Sequence, residues 1–223
     1  PAIVTAFPQV WSNLLPQAKI VAEAEVLDLA PQAHDLVIHA MGLHYADDPI
    51  GQLIQCRRAL RPDGLLQTVA FGGQTLHELR ACLGEAEAEI TGGMSPRIAP
   101  MAELRDLGAL LQRAGLALPV ADSLPLTVEY TNAWALMRDL RAMGEANALQ
   151  GRLRRPTARA VLNRAAELYE SHFTAPSGRI TATFDLIFLA GWAPDESQPK
   201  PLRPGSAQQR LADALNSREP LPD

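Results

Sequence analysis

The sequence predicts an α/β protein built on a doubly wound, mostly parallel sheet. The spacing of apolar residues changes along the chain between a period of two and a period of 3.6, which indicates strands alternating with helices. Short, almost continuous apolar runs at residues 35–40 and 65–71 are typical of strands buried on both faces of a parallel sheet. The 223 residues are enough to bury one core, so we expect a single domain over residues 1–223.

The first third of the chain is predicted to contain four strands and one helix. The strands are expected at residues 2–7, 19–22, 35–40 and 65–71. Pro49 begins a helix that runs to Leu60, because proline suits the first helical turn and apolar residues follow at helical spacing. The tight turn at residues 61–64 is expected to end this helix.

The next helix is predicted to begin at Thr75, in a sequence typical of a capping box. The Thr75 hydroxyl would bond to the first turn of the helix, and the Glu78 side chain would reach back to the backbone at its start. We expect this helix to end near Ile90 and to be followed by a loop over residues 92–100, which contains two glycines and two prolines.

The second half of the chain continues the alternation of helices and strands. A helix over residues 101–114 should end before Gly115, since glycine favours the position after the last helical turn. Further strands are predicted at residues 116–120, 124–130 and 181–192, and further helices at residues 134–143 and 157–173. The last strand should be antiparallel and near the sheet edge, and residues 131–175 should form a helical cap insertion over the carboxyl ends of the strands. Residues 194–223 are expected to form a proline-rich tail with a short amphipathic helix at residues 206–215.

Composition and charge exclude several classes of protein. The chain has 20 Lys and Arg against 25 Asp and Glu, which gives a net charge of −5, so we expect no general affinity for nucleic acid. No apolar run approaches the roughly 18 residues that a membrane-spanning helix needs, so no membrane span is expected. No signal peptide is recognisable after Pro1, and we expect a cytoplasmic protein.

The cysteines and histidines do not form a metal-binding pattern. Cys56 and Cys82 are the only cysteines, and both lie in predicted helices, so neither a disulfide framework nor a cysteine-rich zinc site is expected. The five histidines occur at positions 34, 39, 44, 77 and 172. None of them has the spacing of a zinc site or of an iron-binding triad, and we predict no metal.

Polar and glycine-rich residues follow two of the predicted strands directly. The first segment is residues 40–49 and the second is residues 70–75, which contains Gly72 and Gly73. Ligands of doubly wound sheets bind at the carboxyl ends of the strands, so these two segments are the candidate site. Gly72 and Gly73 would allow a ligand to approach the backbone closely, although a turn before a helix without any ligand explains the same pattern.

These segments resemble the class I S-adenosylmethionine-dependent methyltransferase superfamily, whose fold is Rossmann-like. The general match lies in residues 35–49 (DLVIHAMGLHYADDP) and 60–65 (LRPDGL). More specific matches are residues 71–80 (FGGQTLHELR), 92–97 (GGMSPR), 106–115 (DLGALLQRAG), 136–147 (LMRDLRAMGEAN), 191–192 (GW) and 196–198 (ESQ). With them the chain is similar to the bacterial counterpart of the mitochondrial complex I assembly factor described as an arginine hydroxylase, which is related to the malonyl-carrier-protein methyltransferase of biotin synthesis. The resemblance extends over about residues 23–207.

The sequence departs from this superfamily at its start. There, the first strand is followed by a Gly-x-Gly-x-Gly loop, which this chain lacks. The nearest equivalent, residues 2–11, has Phe7 and Pro8 where glycine is required. Only about 30 residues precede the strand at residues 35–40, fewer than three strand–helix steps need. We therefore expect the N-terminal part of the fold to be missing, which should weaken the binding of S-adenosylmethionine.

The resemblance implies a set of site residues. His44 is the candidate catalytic residue, because a histidine can accept or donate a proton near neutral pH. The residues implied to contact the cofactor are Glu23, Ala24, Ala40, Met41, Leu43, Tyr45, Phe71, Gly72 and Gly73. The residues expected to contact a substrate or partner are Arg80, Arg97, Arg138, Arg141 and Glu145. For each of them a purely structural role is the alternative.

Three functions fit the sequence. The first is an S-adenosylmethionine-dependent methyltransferase that acts on a small molecule or a protein side chain. The second is an arginine hydroxylase-like assembly factor whose partner is a subunit of a respiratory complex. The third is a pseudoenzyme that retains the fold as a binding module without the glycine-rich cofactor loop.

Overall fold

The structure is a computed structural model that describes residues 2–5, 8–22 and 25–199. Strands β1 to β6 are Ala2–Thr5, Lys19–Ala22, His34–Ala40, Leu60–Phe71, Ala117–Tyr130 and Ile180–Trp192. Helices α1 to α6 are Pro8–Leu14, Pro49–Ala59, His77–Thr91, Leu104–Arg113, Ala133–Ala142 and Arg159–His172, and a short 3₁₀ turn spans Leu43–Tyr45. The predicted α/β class is confirmed, whereas the predicted helix at residues 206–215 lies outside the described residues.

Four strands form the central sheet in the order β3-β4-β6-β5. β3 and β4 are adjacent and parallel, with Val37 opposite Leu66, as the apolar runs predicted. β6 is antiparallel to both of its neighbours, β4 and β5. The prediction of an antiparallel last strand near the sheet edge is therefore confirmed.

β1 and β2 form a separate two-stranded parallel sheet, and α1 connects the two strands. Ile3 lies opposite Ile20 in this pair. After β2, the side chain of Gln55 on α2 links the chain to the main body, because it accepts a hydrogen bond from the Leu27 amide and donates one to the Glu25 carbonyl. The described strands thus form two sheets rather than one continuous sheet.

Two apolar clusters form the core, one on each face of the central sheet. Alternate residues of a strand point to opposite faces, so Phe184 and Ile187 of β6 belong to different clusters. The Ile187 cluster includes Leu53 of α2 and Leu111 of α4. The Phe184 cluster includes residues of α3, α5 and α6, among them the fully buried Tyr169. Helices therefore pack on both faces, as a doubly wound fold requires.

Part of the sheet face that carries Phe184 is exposed and apolar. The strand register places Leu36 and Ile38 of β3 on this face, together with Val120 of β5 and Phe188 of β6. All four side chains are exposed, Ile38 to 65%. Parallel strands usually have both faces covered, so this surface differs from the rest of the core.

The structure corrects the predicted start of α3. The helix begins at His77, and Thr75 and Glu78 do not form a capping box. Instead, the Thr75 hydroxyl accepts a hydrogen bond from the Asp185 amide at 3.0 Å and donates one to the Asp185 carbonyl at 3.2 Å. The Glu78 carboxylate accepts hydrogen bonds from the amide and hydroxyl of Thr183. Both side chains connect α3 to β6, because β6 lies next to β4 and brings its backbone to the point where α3 starts.

Further boundaries differ from the prediction, and the helix expected from residue 101 begins at Leu104. Residues 61–64 belong to β4 rather than to an isolated turn, since β4 extends over Leu60–Phe71. The two strands predicted at residues 116–120 and 124–130 form one continuous strand, β5, which pairs with β6 along its length. Gly115 follows α4 with φ of 76°, in the left-handed region that favours glycine, as predicted.

Replacing Thr75 with valine is expected to lower the free energy of unfolding by about 1–3 kcal/mol, because both backbone groups of Asp185 lose a buried partner. The measurement is urea-induced unfolding followed by circular dichroism. Thr127→Val on the exposed part of β5 is the matched control and should change stability by less than about 0.5 kcal/mol. Equal effects of the two substitutions would contradict the structural role of Thr75.

Candidate functional site

The candidate site lies at the carboxyl ends of β3 and β4. Because these strands are parallel neighbours, the segments that follow Ala40 and Phe71 leave the sheet at the same edge. Met41 follows β3 with φ of 54°, which turns the chain sharply away from the strand. The short turn Leu43–Tyr45 comes next and positions His44 against the end of β4.

The side chain of His44 is almost completely buried. Only 3% of its side chain is exposed. Its ring centroid lies 5.0 Å from that of Phe71 and 4.6 Å from that of Tyr45. Among the described residues, neither ring nitrogen of His44 has a hydrogen-bond partner. Buried polar atoms are normally paired, so an unpaired imidazole at a strand end is a candidate for contact with a ligand.

Glu145 approaches His44 from the loop after α5. Its Oε1 atom lies 3.4 Å from His44 Nε2, and 14% of its side chain is exposed. The Tyr45 hydroxyl donates a hydrogen bond to the same carboxylate. Burial alone would raise the pKa of Glu145, but the contacts with His44 and Tyr45 lower it below its ordinary value. Burial and the neighbouring carboxylate raise the pKa of Tyr45. The cluster is therefore a carboxylate, a neutral phenol and an imidazole.

The two glycines after β4 make room for carboxylates of the chain itself. A Cβ atom on Gly72 would collide with the Asp185 carboxylate, and one on Gly73 would collide with that of Glu103. The constraint is stronger at Gly72, where the buried Ile187 side chain would collide with the added atom as well. The space beside the backbone that the sequence suggested for a ligand is occupied by the two carboxylates.

The remaining residues predicted to contact the cofactor occupy different environments. Ala40 is exposed at the end of β3, and Met41 is partly buried against the Phe184 cluster. Leu43 is buried in the opposite cluster with residues of α2. Glu23 and Ala24 lie outside the described residues.

The predicted arginines also fall into separate groups. Arg97 donates hydrogen bonds to Glu87 at 2.7 and 3.0 Å and to the Thr157 hydroxyl at 2.8 Å, so its guanidinium connects three segments of the chain. Arg80 lies on α3, where it donates to the Thr75 carbonyl at 3.4 Å. Arg138 and Arg141 are exposed on α5, one turn before the loop that carries Glu145.

The sequence did not indicate that Glu145 would contact the turn after β3. One hundred residues separate Tyr45 from Glu145 along the chain, and no local pattern connects them. The only available signal was the position of Glu145 in the segment that resembles the assembly-factor family. The buried carboxylates of Glu87 and Asp185 were missed for the same reason, since their partners are distant in sequence or belong to the backbone.

Other features of the described residues do not suggest a second site. A surface depression of about 320 Å³ lies between α4 and β5, lined by Arg105, Gly108, Ala109, Gln112, Pro119, Val120 and Ala121. Within residues 2–5, 8–22 and 25–199, no group of three or more His, Cys, Asp or Glu side chains could hold a metal ion. None of the helices in this part of the chain combines the length and the apolarity needed to cross a membrane.

Comparison with solved structures supports the fold. The YcgJ protein from Bacillus subtilis aligns with a TM-score of 0.56 at 13% identity, over 87% of this chain and 82% of that chain. A protein from Bacillus halodurans described as a putative methyltransferase aligns with a TM-score of 0.53 at 15% identity, over 87% and 84% of the two chains. In sequence, residues 5–68 match the family described as Methyltransferase domain. The fold is thus that of a class I methyltransferase.

Curated relatives define the relationship more closely. The mitochondrial arginine-hydroxylase NDUFAF5 of Danio rerio is 37% identical over 202 residues, which are 89% of this chain and 62% of that protein. The human protein of the same name is 37% identical over 196 residues, 86% of this chain and 56% of that protein. The malonyl-[acyl-carrier protein] O-methyltransferase of Laribacter hongkongensis is 34% identical over 177 residues, 79% of this chain and 57% of that protein.

The chain is a class I S-adenosylmethionine-dependent methyltransferase relative, related to both the NDUFAF5 proteins and the malonyl-carrier-protein O-methyltransferases. It spans about three fifths of the length of these curated relatives, between 56% and 62%.

Proposed function

We propose that this chain provides the acceptor-binding side of an S-adenosylmethionine-dependent methyltransferase that acts on a small molecule or a protein side chain. The observation that supports this function is the His44 imidazole, which is buried at the carboxyl end of β3. Its Nε2 atom faces Glu145 Oε1 at 3.4 Å, and its Nδ1 atom has no hydrogen-bond partner among the described residues. A group in this position can contact a reacting atom directly. Its neighbours Phe71 and Glu145 provide an aromatic ring and a negative charge.

The residues at the strand ends suit a sulfonium cofactor in part. When bound, S-adenosylmethionine supplies a methyl group that is activated by the positive charge on sulfur. The unpaired imidazole of His44, together with Met41 and Phe71, would contact this end of the cofactor. A positive charge near an aromatic ring and a carboxylate is favoured electrostatically. The carboxylates of Asp185 and Glu103 lie where a Cβ atom of Gly72 or Gly73 would be, while Gly73 itself is partly exposed.

The other contacts with the cofactor follow the sequence resemblance. Glu23 and Ala24 would contact the adenine, and Ala40, Leu43 and Tyr45 would complete the strand-end part of the site. Arg80, Arg138 and Arg141 would contact the substrate or partner. Arg97 contributes indirectly, since its ion pair with Glu87 holds the loop that follows α3.

A second candidate function is that of an arginine hydroxylase-like assembly factor. It is favoured by the 37% identity with the Danio rerio arginine-hydroxylase NDUFAF5 over 89% of this chain. Its partner would be a subunit of a respiratory complex, and this chain would act in the cytoplasm. A third possibility is a binding module without catalysis.

Isothermal titration calorimetry of this chain with S-adenosylmethionine and S-adenosylhomocysteine tests the proposal. We expect saturable binding of both compounds at one site, because the strand ends contain the buried imidazole and the aromatic ring. His44→Asn should weaken the binding by about tenfold, the loss of one good polar contact. His172→Asn, at the exposed end of α6, is the matched control and should bind like the unmodified chain.

Absence of any binding heat, in a sample whose circular dichroism spectrum is that of a folded α/β protein, would contradict the methyltransferase function. Equal weakening by the two histidine substitutions would contradict the assignment of the site to the end of β3. Of these two results, only the absence of binding heat would favour the binding module.

A further inference from the structure

Resting on the proposed function, we propose that the acceptor atom carries a proton, as an amine or a hydroxyl does, and that a free carboxylate is not the acceptor. In this proposal His44 receives the acceptor's proton, and Glu145 is a positioning residue that acts through His44. The inference concerns the class of substrate and follows from the charges around His44.

The first argument is the state of the imidazole. With 3% of its side chain exposed, His44 has almost no access to solvent. Its Nε2 atom faces Glu145 Oε1 at 3.4 Å, and its Nδ1 atom has no hydrogen-bond partner among the described residues. A neutral imidazole has one N–H donor and one nitrogen that accepts. An acceptor group that carries a proton can donate to this second nitrogen, whereas a deprotonated carboxylate has no proton to give.

The second argument is the charge of Glu145. Its carboxylate accepts a hydrogen bond from Tyr45 and lies 3.4 Å from His44 Nε2. These contacts favour the ionised form, and the pKa of Glu145 is lowered accordingly. A carboxylate brought to His44 would therefore meet a negative charge a few ångströms away, in a buried place where such repulsion is strong.

The third argument is the lack of a compensating cation in the cluster. The groups packed around the imidazole are Tyr45 from its own turn, Phe71 from the end of β4 and Glu145 from the loop after α5. Among the described residues, the ion pairs of Glu145 include neither lysine nor arginine. Carboxylate-binding sites use such cations, most often the guanidinium fork of arginine. This cluster is instead complementary to a neutral or positively charged group.

The reaction balances with these residues. S-adenosylmethionine, held by residues at the strand ends such as Met41 and Phe71, would supply the methyl group. The lone pair of the acceptor nitrogen or oxygen would bond to the methyl carbon, and the electron pair of the broken carbon–sulfur bond would remain on sulfur. The proton of the acceptor passes to the free nitrogen of His44. Glu145 stabilises the resulting imidazolium, and the proton is later released to water. A positioned base of this kind typically contributes about 10²–10⁴-fold to the rate.

Two probes of equal length and opposite charge test the proposal, n-butylamine and butyrate. Each is titrated into this chain, with and without S-adenosylhomocysteine, and binding is followed through the NMR signals of the His44 imidazole, assigned with H44N. We expect n-butylamine to bind about ten- to a hundredfold more tightly than butyrate, the effect of one charge-assisted contact and of repulsion by Glu145.

The variant Glu145→Gln should abolish this preference, because it removes the charge while it keeps the size of the side chain. Glu145→Asp, which keeps the charge, should retain part of it. Asp139→Asn is the matched control, since Asp139 also accepts a hydrogen bond from a tyrosine, Tyr130, at 2.8 Å. If Glu145 had only a structural role, Glu145→Gln would weaken the binding of both probes equally and would leave the ratio of their affinities unchanged.

The outcomes separate this inference from the proposed function. Butyrate binding as tightly as n-butylamine, or a preference that survives in E145Q, would overturn the inference even if S-adenosylhomocysteine binds. A preference for n-butylamine that depends on Glu145 would support it. If that preference is present but neither S-adenosylmethionine nor S-adenosylhomocysteine binds, the methyltransferase function fails and the charge selectivity of the site stands.

Discussion

Replacing Arg97 with alanine is expected to lower the free energy of unfolding by about 3–5 kcal/mol. Arg97 forms two hydrogen bonds with the Glu87 carboxylate, whose side chain is 5% exposed. Without the guanidinium, a buried negative charge retains only its contacts with Ser95. Urea-induced unfolding measures the change. Arg164→Ala is the matched control, because its pair with Glu89 is exposed to solvent and should contribute far less to stability.

The same pair should make stability depend on pH. Burial alone would raise the pKa of Glu87, but the hydrogen bonds from Arg97 and Ser95 outweigh it and lower the pKa to about 2. The unfolded chain has a glutamate pKa of about 4.3, so Glu87 stabilises the fold above that value. This contribution should be lost as the pH falls from about 4.3 towards 2. The free energies of unfolding of the unmodified chain and of E87Q, plotted against pH, should therefore converge over this range. A constant difference between them would contradict the role of Glu87.

Replacing Leu136 with alanine is expected to lower the free energy of unfolding by about 2–5 kcal/mol. Leu136 lies on α5 and is fully buried in the Phe184 cluster. Truncation leaves a cavity between α5 and the rest of this cluster. Met143→Ala, just after the same helix, is the matched control, because Met143 is about half exposed.

The result also tests whether residues 131–175 are a separable cap. Because Leu136 and Tyr169 share one cluster with Phe184 of β6, we expect a single unfolding transition for the whole domain. Far-ultraviolet circular dichroism and tryptophan fluorescence should then give the same midpoint for L136A. Two separate midpoints would indicate that the insertion unfolds independently of the sheet.

The order of elements could be predicted from the sequence because it depends on local patterns. The apolar runs of β3 and β4 correctly indicated strands of a parallel sheet. Burial on both faces, which the same runs predicted, is wrong for β3, because Leu36 and Ile38 are exposed on one of its faces. The spacing of apolar residues is set by the geometry of a single helix or strand. It therefore does not depend on knowing which elements are neighbours.

Contacts between distant segments could not be predicted in this way. Thr75 and Glu78 have the spacing of a capping box, yet both form hydrogen bonds with the backbone of β6 instead. The folded sheet brings these backbone groups close to the start of α3, where they compete with the local capping bonds. His44 was identified from the sequence as the candidate base, but its companion Glu145 belongs to another part of the fold. The loss of open space beside Gly72 likewise depends on Asp185, which lies on a strand far along the chain.

Strand β3 has a consequence for the behaviour of this chain in solution. Among the described residues it pairs with β4 alone, so one row of its backbone amides and carbonyls lacks a neighbouring strand. That open edge runs beside the exposed side chains of Leu36 and Ile38. Edges of this kind are templates for intermolecular strand addition and for aggregation. Protein concentration, rather than temperature alone, should therefore govern whether the chain remains monomeric.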